Sequence, residues 1–333
     1  MLCKQTSVNT ELTDKTGICS RCGAPQGLET QQPGNLPPAG LRAGKEGVLD
    51  WGPLLIMPAA SLCFRNTVQA WEFMWIMALS IFLGCKWMTW RHALNVKPSA
   101  VRSLMYLIAW PGMDARTFLE KNAAVEKTAP FSFLKKASCS LLNTLVGALC
   151  LFYSERIITV WPLPAGWLAM CGIVLVLHFG LFEMLALAWQ SCGIKAQPLM
   201  SQPLLAVSLK EFWSRRWNTA FNELVHSLTL RPLSRRFGMM GGIIGVFLIS
   251  GLVHEAVISL PARAGYGLPT AYFLLQGVGV LFERSAAGRR LGLGRGIRGR
   301  LFMGLFTAGP AFWLFHPGFV SNVILPMINT LKK

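Results

Sequence analysis

Apolar residues form eight stretches between residues 49 and 330, and polar loops separate them. The stretches are 49–64, 69–85, 137–154, 166–189, 238–259, 269–282, 301–315 and 317–330. A helix needs about 20 residues to cross the hydrocarbon core of a bilayer. The fourth and fifth stretches meet that length, and the first and the last three are short enough to be tilted, broken or re-entrant. A ninth stretch, 101–112, is too short to span and predicts an interfacial helix. The pattern predicts an all-α polytopic integral membrane protein with about eight transmembrane helices plus interfacial or re-entrant helices.

Residues 1–47 differ from the rest of the chain. They are polar and rich in Gly, Pro, Gln and Thr, with no apolar period. Such a composition cannot bury enough surface to become ordered, and it lacks the apolar core of a signal peptide. We therefore expect a disordered cytosolic tail over 1–47 and a membrane-embedded domain over 48–333. Cys19 and Cys22 in the tail resemble half of a zinc knuckle, but a zinc site needs four ligands, so no metal site is predicted.

Composition supports a membrane protein. Hydrophobic residues make up 53% of the 333-residue chain and charged residues only 14%, whereas soluble proteins carry nearer a quarter charged residues. The formal net charge is +17. The basic residues lie in loops between apolar stretches rather than among aromatic residues along one soluble face, as nucleic-acid binding would require. We therefore expect membrane lipids, and no nucleic acid, as partners.

The loops alternate between strongly basic and weakly charged. Most Lys and Arg lie in loops 86–100, 113–136, 190–237 and 283–300, whereas the connections 65–68, 155–165 and 260–268 hold one arginine each. Cytosolic loops are enriched in Lys and Arg. An even number of spans therefore places every basic loop and both termini on the cytosolic side, in a bacterial inner membrane or an endoplasmic reticulum.

An ionisable pair interrupts the stretch 238–259. His254 and Glu255 end the sequence SGLVHE, after the glycines Gly241, Gly242, Gly245 and Gly251. Ionisable groups inside a span cost roughly 2.5–3.5 kcal/mol or more each, so they usually face a bundle interior and function there. The glycines allow close helix packing or room for a substrate tunnel. Adjacent helical residues point about 100° apart, so Glu255 need not orient His254, and a helix-end role for Glu255 stays open.

A second group of candidate residues lies in the largest basic loop, within the sequence SLKEFWSRRWNTAFNELV at 208–225. Its aromatic and arginine residues alternate at helical spacing and predict an amphipathic interfacial helix with its arginines outward. Guanidinium groups suit phosphate, so this face is a candidate docking site for a phosphorylated carrier such as coenzyme A. The candidate substrate contacts are Trp213, Arg215, Arg216 and Trp217, together with Glu255 of the first group.

FWSRRWN followed by SGLVHE resembles the signature pair of the wax-synthase branch of the membrane-bound O-acyltransferase (MBOAT) family. YLIAWPGMDARTFL at 106–119 and WLFHPGFVSNVILPMI at 313–328 fit the same branch. The resemblance implies an acyltransferase that moves a fatty acyl group from acyl-CoA, as co-substrate, to a lipophilic alcohol without a further cofactor. It maps the family's catalytic histidine onto His254 and its motif asparagine onto Asn218.

Other functions remain open alongside this one. A sterol, a terpenoid or another hydroxyl compound could serve as the acceptor. A membrane transporter would also place ionisable residues in its spans, although no internal repeat relates the two halves of the chain, as is common in transporters.

Three further residues have simpler explanations. His178 lies alone in an apolar span and is expected to be a core histidine with one hydrogen-bond partner. His316 precedes Pro317, and we expect it to cap a helix rather than to bind substrate. Asp114 is expected to cap the helix that begins at ARTFLEK.

Overall fold

The computed structural model describes residues 48–120 and 130–330, and within these ranges every regular element is helical. The predicted tail 1–47 and its cysteine pair lie outside the described residues. The α-helices are α1 Val48–Ser61, α2 Ala70–His92, α3 Ala100–Ala109, α4 Ala115–Leu119, α5 Pro130–Ile157, α6 Pro162–Val174, α7 Phe182–Ser191, α8 Leu209–Glu211, α9 Asn222–Val225, α10 Arg231–His254, α11 Leu260–Ala262, α12 Leu268–Arg284, α13 Ala286–Arg290, α14 Gly296–Ala308, α15 Ala311–Leu314, α16 Pro317–Phe319 and α17 Leu325–Thr330.

Within the described ranges five π-helical turns adjoin these helices, several of them at candidate residues. They are Leu175–Leu181, Phe212–Arg216, His226–Leu230, Glu255–Ser259 and Val320–Ile324. A π turn adds a residue to the helical circuit and so changes the direction in which side chains point. Apolar periodicity does not reveal such turns.

Four helical segments of the described residues are long and apolar enough to cross a membrane: Ala70–His92, Pro130–Ile157, Pro162–Ser191 and Leu228–Ala262. A fifth arises if Gly296–Leu314 and Pro317–Thr330, which meet at 55°, form one broken span. The all-α membrane fold is therefore confirmed, whereas the count of eight spans is not. The stretches 49–64 and 269–282 form shorter helices, and 101–112 forms the 10-residue α3.

The His254 helix does not run straight through its full length. Gly238 interrupts it with a left-handed backbone conformation, φ +71°, which glycine adopts without steric cost. The segment before this break packs against the helix after it, since a Cβ on Gly242 or Gly245 would meet Ser234 or Leu233 within 2.5 Å. The glycines therefore permit close packing, one of the two roles expected for them.

Two contacts between loops agree with the charge pattern. The Arg263 side chain donates to the Arg65 carbonyl and to Asn66 Oδ1, at 3.1 and 2.6 Å, which joins two weakly charged connections. In the basic loops, the Glu283 carboxylate accepts from the backbone N–H groups of Leu209 and Lys210, at 2.6 and 3.4 Å. Which group faces the cytosol stays a prediction.

The stretch 106–119 packs in the core of the described residues. Tyr106, Trp110 and Phe118 are buried, and Phe118 contacts the other two rings at 5.7 and 6.0 Å between centroids. Lys86, also buried, donates to the Gly112 carbonyl at 2.7 Å and lies 3.2 Å from the centroid of the Tyr106 ring. This group of residues, the Lys86 cluster, ties α2, α3 and α4 together.

The helix cap predicted at Asp114 is confirmed. Its Oδ1 accepts a hydrogen bond from the backbone N–H of Thr117 at 3.1 Å, at the start of α4. This bond satisfies one of the N–H groups that lack a partner at a helix N-terminus.

Candidate active site

His254 is the last residue of α10 and its side chain turns inward. Leu252 and Val253, just before it, are 55% and 39% exposed on the outer surface, whereas His254 is half-buried. His254 Nδ1 lies 2.7 Å from the Ser250 carbonyl oxygen. A carbonyl oxygen only accepts, so Nδ1 carries the proton and Nε2 has the lone pair. The helix itself thus fixes the tautomer that a general base needs.

Helix α12 packs against the His254 ring. A Cβ on Gly251 would lie 2.7 Å from Thr270 Cα, so α10 and α12 approach each other closely at this level. One turn further along α12, the Phe273 ring lies 4.3 Å from the His254 ring, centroid to centroid. An aromatic contact at this distance restricts rotation of the imidazole and keeps water from one face.

Phe273 also connects the two sequence motifs. Trp213 of FWSRRWN lies 5.7 Å from Phe273 and 6.0 Å from Phe247 of α10, centroid to centroid. The indole Nε1 of Trp213 donates to Gln276 Oε1 at 3.2 Å, and Gln276 Nε2 donates to the Phe306 carbonyl at 2.6 Å. The structure therefore brings Trp213 to the helices that carry and contact His254.

FWSRRWN does not form the continuous amphipathic helix that its spacing predicts. Helix α8 leads into the π turn Phe212–Arg216, and the chain then extends at Trp217. The Trp217 ring stacks on the buried Phe212 at 5.5 Å. Because Phe212 and Trp217 fill the core, the expected lipid-facing aromatic surface is replaced by a sharp bend.

Asn218 lies at this bend with φ +45°, one of four described non-glycine residues with positive φ. Asparagine tolerates the left-handed region better than most residues. Two backbone hydrogen bonds hold the bend from both sides: Ser201 N–H donates to the Arg216 carbonyl and Thr219 N–H to the Leu199 carbonyl, each at 2.8 Å. The half-buried Asn218 is thus presented on a fixed backbone.

The two arginines of the motif differ in their surroundings. Arg216 Nε donates to Glu211 Oε1 at 2.7 Å, and its Nη1 donates to the carbonyls of Ser201 and Gln202 at 3.2 Å. The Val207 N–H and the Arg216 guanidinium hold the pKa of Glu211 below its usual range. Arg215 is exposed. Arg216 therefore stabilises the motif, and Arg215 presents its charge to solvent.

Glu255 caps a neighbouring helix. Its Oε1 accepts from Gly267 N, Thr270 N and Thr270 Oγ1 at 2.9, 3.1 and 3.0 Å, at the start of α12. Its contacts therefore hold the end of a helix, but this helix is α12, whereas the sequence suggested the end of its own helix. Its Oε2 is buried without a hydrogen-bond partner among the described residues.

The expectation for His316 is confirmed, whereas the one for His178 is confirmed only in part. His316 is a helix cap, as predicted, because its Nδ1 accepts from Phe319 N–H at 3.1 Å. His178 contacts Phe182 at 5.4 Å between ring centroids, but its buried Nδ1 lacks the expected hydrogen-bond partner in the part of the chain described. The described residues hold no group of three or more His, Cys, Asp or Glu that could bind a metal ion.

Phe273 and Gln276 are site residues that sequence reasoning missed. Phe273 gives no signal, because a phenylalanine in an apolar stretch is ordinary. Gln276 is the single amide in 269–282, and an isolated polar residue inside a span is a reason to expect a specific partner.

Comparison with known proteins bears directly on these two motifs. Residues 196–275 match the model of the membrane bound O-acyl transferase family, and this range contains both FWSRRWN and SGLVHE. The family resemblance is confirmed. The matched MBOAT segment also contains Phe273, the residue that connects the two motifs in the structure.

Curated relatives share only part of the chain. A long-chain-alcohol O-fatty-acyltransferase of Simmondsia chinensis is 31% identical over 148 residues, covering 41% of this chain and 42% of the relative. A probable long-chain-alcohol O-fatty-acyltransferase 7 of Arabidopsis thaliana is 32% identical over 146 residues, covering 39% and 42%. An acyl-CoA–sterol O-acyltransferase 1 of Arabidopsis thaliana is 29% identical over 77 residues, covering 21% and 22%. The similarity to the first two thus spans about two fifths of their length.

Proposed function

We propose that this protein is a membrane acyltransferase that moves a fatty acyl group from acyl-CoA to the hydroxyl of a lipophilic alcohol. The observation that carries the proposal is the His254 geometry: an inward-facing imidazole inside a span, with Nδ1 donating to Ser250 and Nε2 left as acceptor. Its position beside the second MBOAT motif, through Trp213 and Phe273, supports the same chemistry.

In the proposed reaction His254 is the general base. Its Nε2 takes the proton of the alcohol as the oxygen attacks the thioester carbonyl carbon. When the tetrahedral intermediate collapses, the carbon–sulfur bond breaks and Nε2–H returns the proton to the coenzyme A thiolate. The products are an ester and free coenzyme A, and no acyl-enzyme forms. Exclusion of water within the membrane protects the thioester from hydrolysis.

Asn218 is proposed to stabilise the carbonyl oxygen during attack. A side-chain amide donates hydrogen bonds to a developing oxyanion, and a donor of this kind contributes about 10²- to 10³-fold to turnover. The left-handed backbone fixed on both sides supports this assignment, because a preorganised donor does not have to rearrange as charge develops.

Acyl-CoA is proposed to bind at the end that carries the basic loops. The six arginines of loop 283–300 are exposed, and this loop packs on the segment leading into FWSRRWN, where a Cβ on Gly299 would lie 2.1 Å from the Val207 carbonyl oxygen. With Arg215, these arginines form a positive surface suited to phosphate groups. Arg216 supports the motif through Glu211 instead of facing this surface.

The acceptor class follows from the relatives rather than from geometry. The relative from Simmondsia chinensis is named a long-chain-alcohol O-fatty-acyltransferase, and the first relative from Arabidopsis thaliana is named a probable one. These names support a fatty alcohol as first choice. A sterol acceptor is the second candidate, supported by the sterol acyltransferase of Arabidopsis thaliana.

The proposal is tested with purified detergent-solubilised protein, labelled acyl-CoA and either a fatty alcohol or a sterol. Formation of a labelled ester without any ion gradient is expected, and its absence with every acceptor would favour a transporter. His254→Gln is expected to lower kcat by roughly 10²- to 10⁴-fold, the contribution typical of a general base. Wild-type activity of this variant at equal folded concentration would refute His254 as the base.

His92 provides a matched control. Its Nδ1 lies 2.8 Å from the Met88 carbonyl, the same bond across one helical turn that His254 makes with Ser250. His92→Gln removes an equivalent local contact on α2, a helix that carries neither MBOAT motif, so we expect near-wild-type turnover. Asn218→Gly removes the side-chain amide, and glycine still adopts the left-handed backbone conformation without strain. A loss of activity in this variant is therefore due to the missing amide and not to a changed backbone.

A further inference from the structure

Two buried polar atoms near the His254 site have no hydrogen-bond partner among the described residues: Glu255 Oε2 and His316 Nε2. Buried polar groups are nearly always paired, and each exception calls for a physical explanation. The two residues contact the same turn: a Cβ on Gly265 would lie 2.4 Å from the His316 ring, and the N–H of Gly267, two residues further on, donates to Glu255 Oε1 at 2.9 Å. The Glu255 carboxylate also acts electrostatically on His316.

The hydrogen bond at His316 Nδ1 determines whether Nε2 is a donor or an acceptor. His316 Nδ1 accepts the N–H of Phe319, so the neutral ring carries its proton on Nε2, which is a donor. His316 is only 1% exposed, and its ring lies against backbone, since a Cβ on Gly265 would come within 2.4 Å of it. The imidazole therefore cannot turn toward solvent to satisfy this donor.

Glu255 presents the opposite requirement. Its Oε1 already accepts three hydrogen bonds from the start of α12, and Oε2 of the ionised carboxylate can only accept. A hydroxyl group is the smallest group that meets both needs, because it accepts from His316 Nε2–H and donates to Glu255 Oε2.

We propose that Glu255 and His316 together bind one hydroxyl group, and that this bridge fixes the start of α12 and thereby the contact of Phe273 with His254. The hydroxyl belongs either to a water molecule or to an alcohol. With a water molecule in the bridge, both residues are positioning residues, because they act on His254 through α12. With the acceptor alcohol in the bridge, they bind that substrate before its hydroxyl moves to His254 Nε2. The kinetic part of the test rests on the proposed acyltransferase function, whereas the stability part does not.

The stability test is a double-mutant cycle on the full-length protein in detergent, with unfolding followed by tryptophan fluorescence. Glu255→Gln keeps Oε1 as the cap of α12 but replaces the acceptor Oε2 with a donor. His316→Asn keeps a residue that caps helices well but removes the Nε2 donor. Each variant is expected to lower the melting temperature by about 2–4 °C, and the double variant by no more than the larger single shift.

Additive melting shifts would overturn the bridge, whatever the enzymatic activity proves to be. Asp114→Ala combined with His316→Asn is the control for additivity, because Asp114 caps α4, which packs in the separate Lys86 cluster. The melting temperatures can be measured even if the protein has no acyltransferase activity. Failure of the proposed function and failure of the bridge are therefore distinguishable.

Kinetics identify the source of the hydroxyl. If it belongs to the acceptor, His316→Asn raises KM for the alcohol about tenfold while KM for acyl-CoA is unchanged. If it belongs to water, both KM values stay the same and kcat falls in Glu255→Gln and in His316→Asn alike. Unchanged kcat and KM in both variants would overturn the positioning role.

Discussion

Lys86 and the Glu255–His316 pair are both ionisable groups surrounded by apolar residues, and they differ in how their polar atoms are paired. The Lys86 Nζ donates to the Gly112 carbonyl and lies against the Tyr106 ring. Glu255 and His316 each keep one buried polar atom without a partner in the described structure. A buried polar group with a hydrogen-bond partner is compatible with a purely structural role, whereas the unpaired polar atoms of Glu255 and His316 call for another explanation, which the proposed bridge supplies.

The largest expected effect on stability comes from the paired group. Lys86→Ala removes the bond to Gly112, the contact with Tyr106 and the volume of a long side chain. We expect a loss of roughly 3 kcal/mol in unfolding free energy, with turnover per folded molecule unchanged. Denaturant unfolding in detergent and an activity assay on the folded fraction measure the two quantities.

Lys86→Met is the matched control, because it keeps most of the length of the side chain and removes the amino group that donates to Gly112. A smaller loss than in Lys86→Ala is expected. If either variant reduced turnover of the folded protein by tenfold or more, Lys86 would belong to the functional part of the molecule, and the comparison would fail.

The sequence predicts long spans and local helix caps better than it predicts the roles of short apolar stretches. Long apolar stretches such as 166–189 became membrane-length helices because hydrophobicity over about 20 residues leaves little alternative to a span. The caps at Asp114 and His316 were predictable for the same reason: they depend on a few adjacent residues. Short stretches such as 49–64 were not, since their role depends on neighbours that periodicity does not specify.

The candidate site was predictable only in part. The MBOAT motifs pointed to His254 and Asn218, but the bend at Trp217–Asn218, the π turns and the fold-back before Gly238 arise from tertiary packing. The role of Phe273 depends on the close approach of α10 and α12 at Gly251, which no local pattern encodes. Contacts between distant segments, rather than local propensity, decide this geometry.

Gln276 combines features of both regions. Its side-chain oxygen and nitrogen both have hydrogen-bond partners, as in the Lys86 cluster, and it also contacts Trp213 of the candidate site. Gln276→Leu leaves Trp213 Nε1 and the Phe306 carbonyl unpaired, which costs about 2 kcal/mol of stability. We also expect kcat to fall, because Trp213 packs on Phe273 and Phe273 on His254. Thermal unfolding and turnover of the same preparation measure both effects.

Tyr272→Phe is the control for Gln276. Tyr272 lies on the same helix and donates its hydroxyl to the Thr307 carbonyl at 3.0 Å, so both residues bond to α14. The unfolding free energy of the control is expected to fall by about 1 kcal/mol, and its turnover is expected to equal that of wild type. Equal turnover in the Gln276 and Tyr272 variants would show that pairing with Trp213 does not position the site.

The smallest expected effect is at Asp114. Its bond to the Thr117 N–H is a local cap at the start of α4, beside the Lys86 cluster. Asp114→Ala removes that bond and should lower the unfolding free energy by about 1 kcal/mol, whereas Asp114→Asn, which caps equally well, should stay near wild type. Because this region is structural, neither variant should alter kcat or KM. A change in turnover with unchanged stability would instead place the stretch 106–119 in the active site and remove the distinction between the two regions.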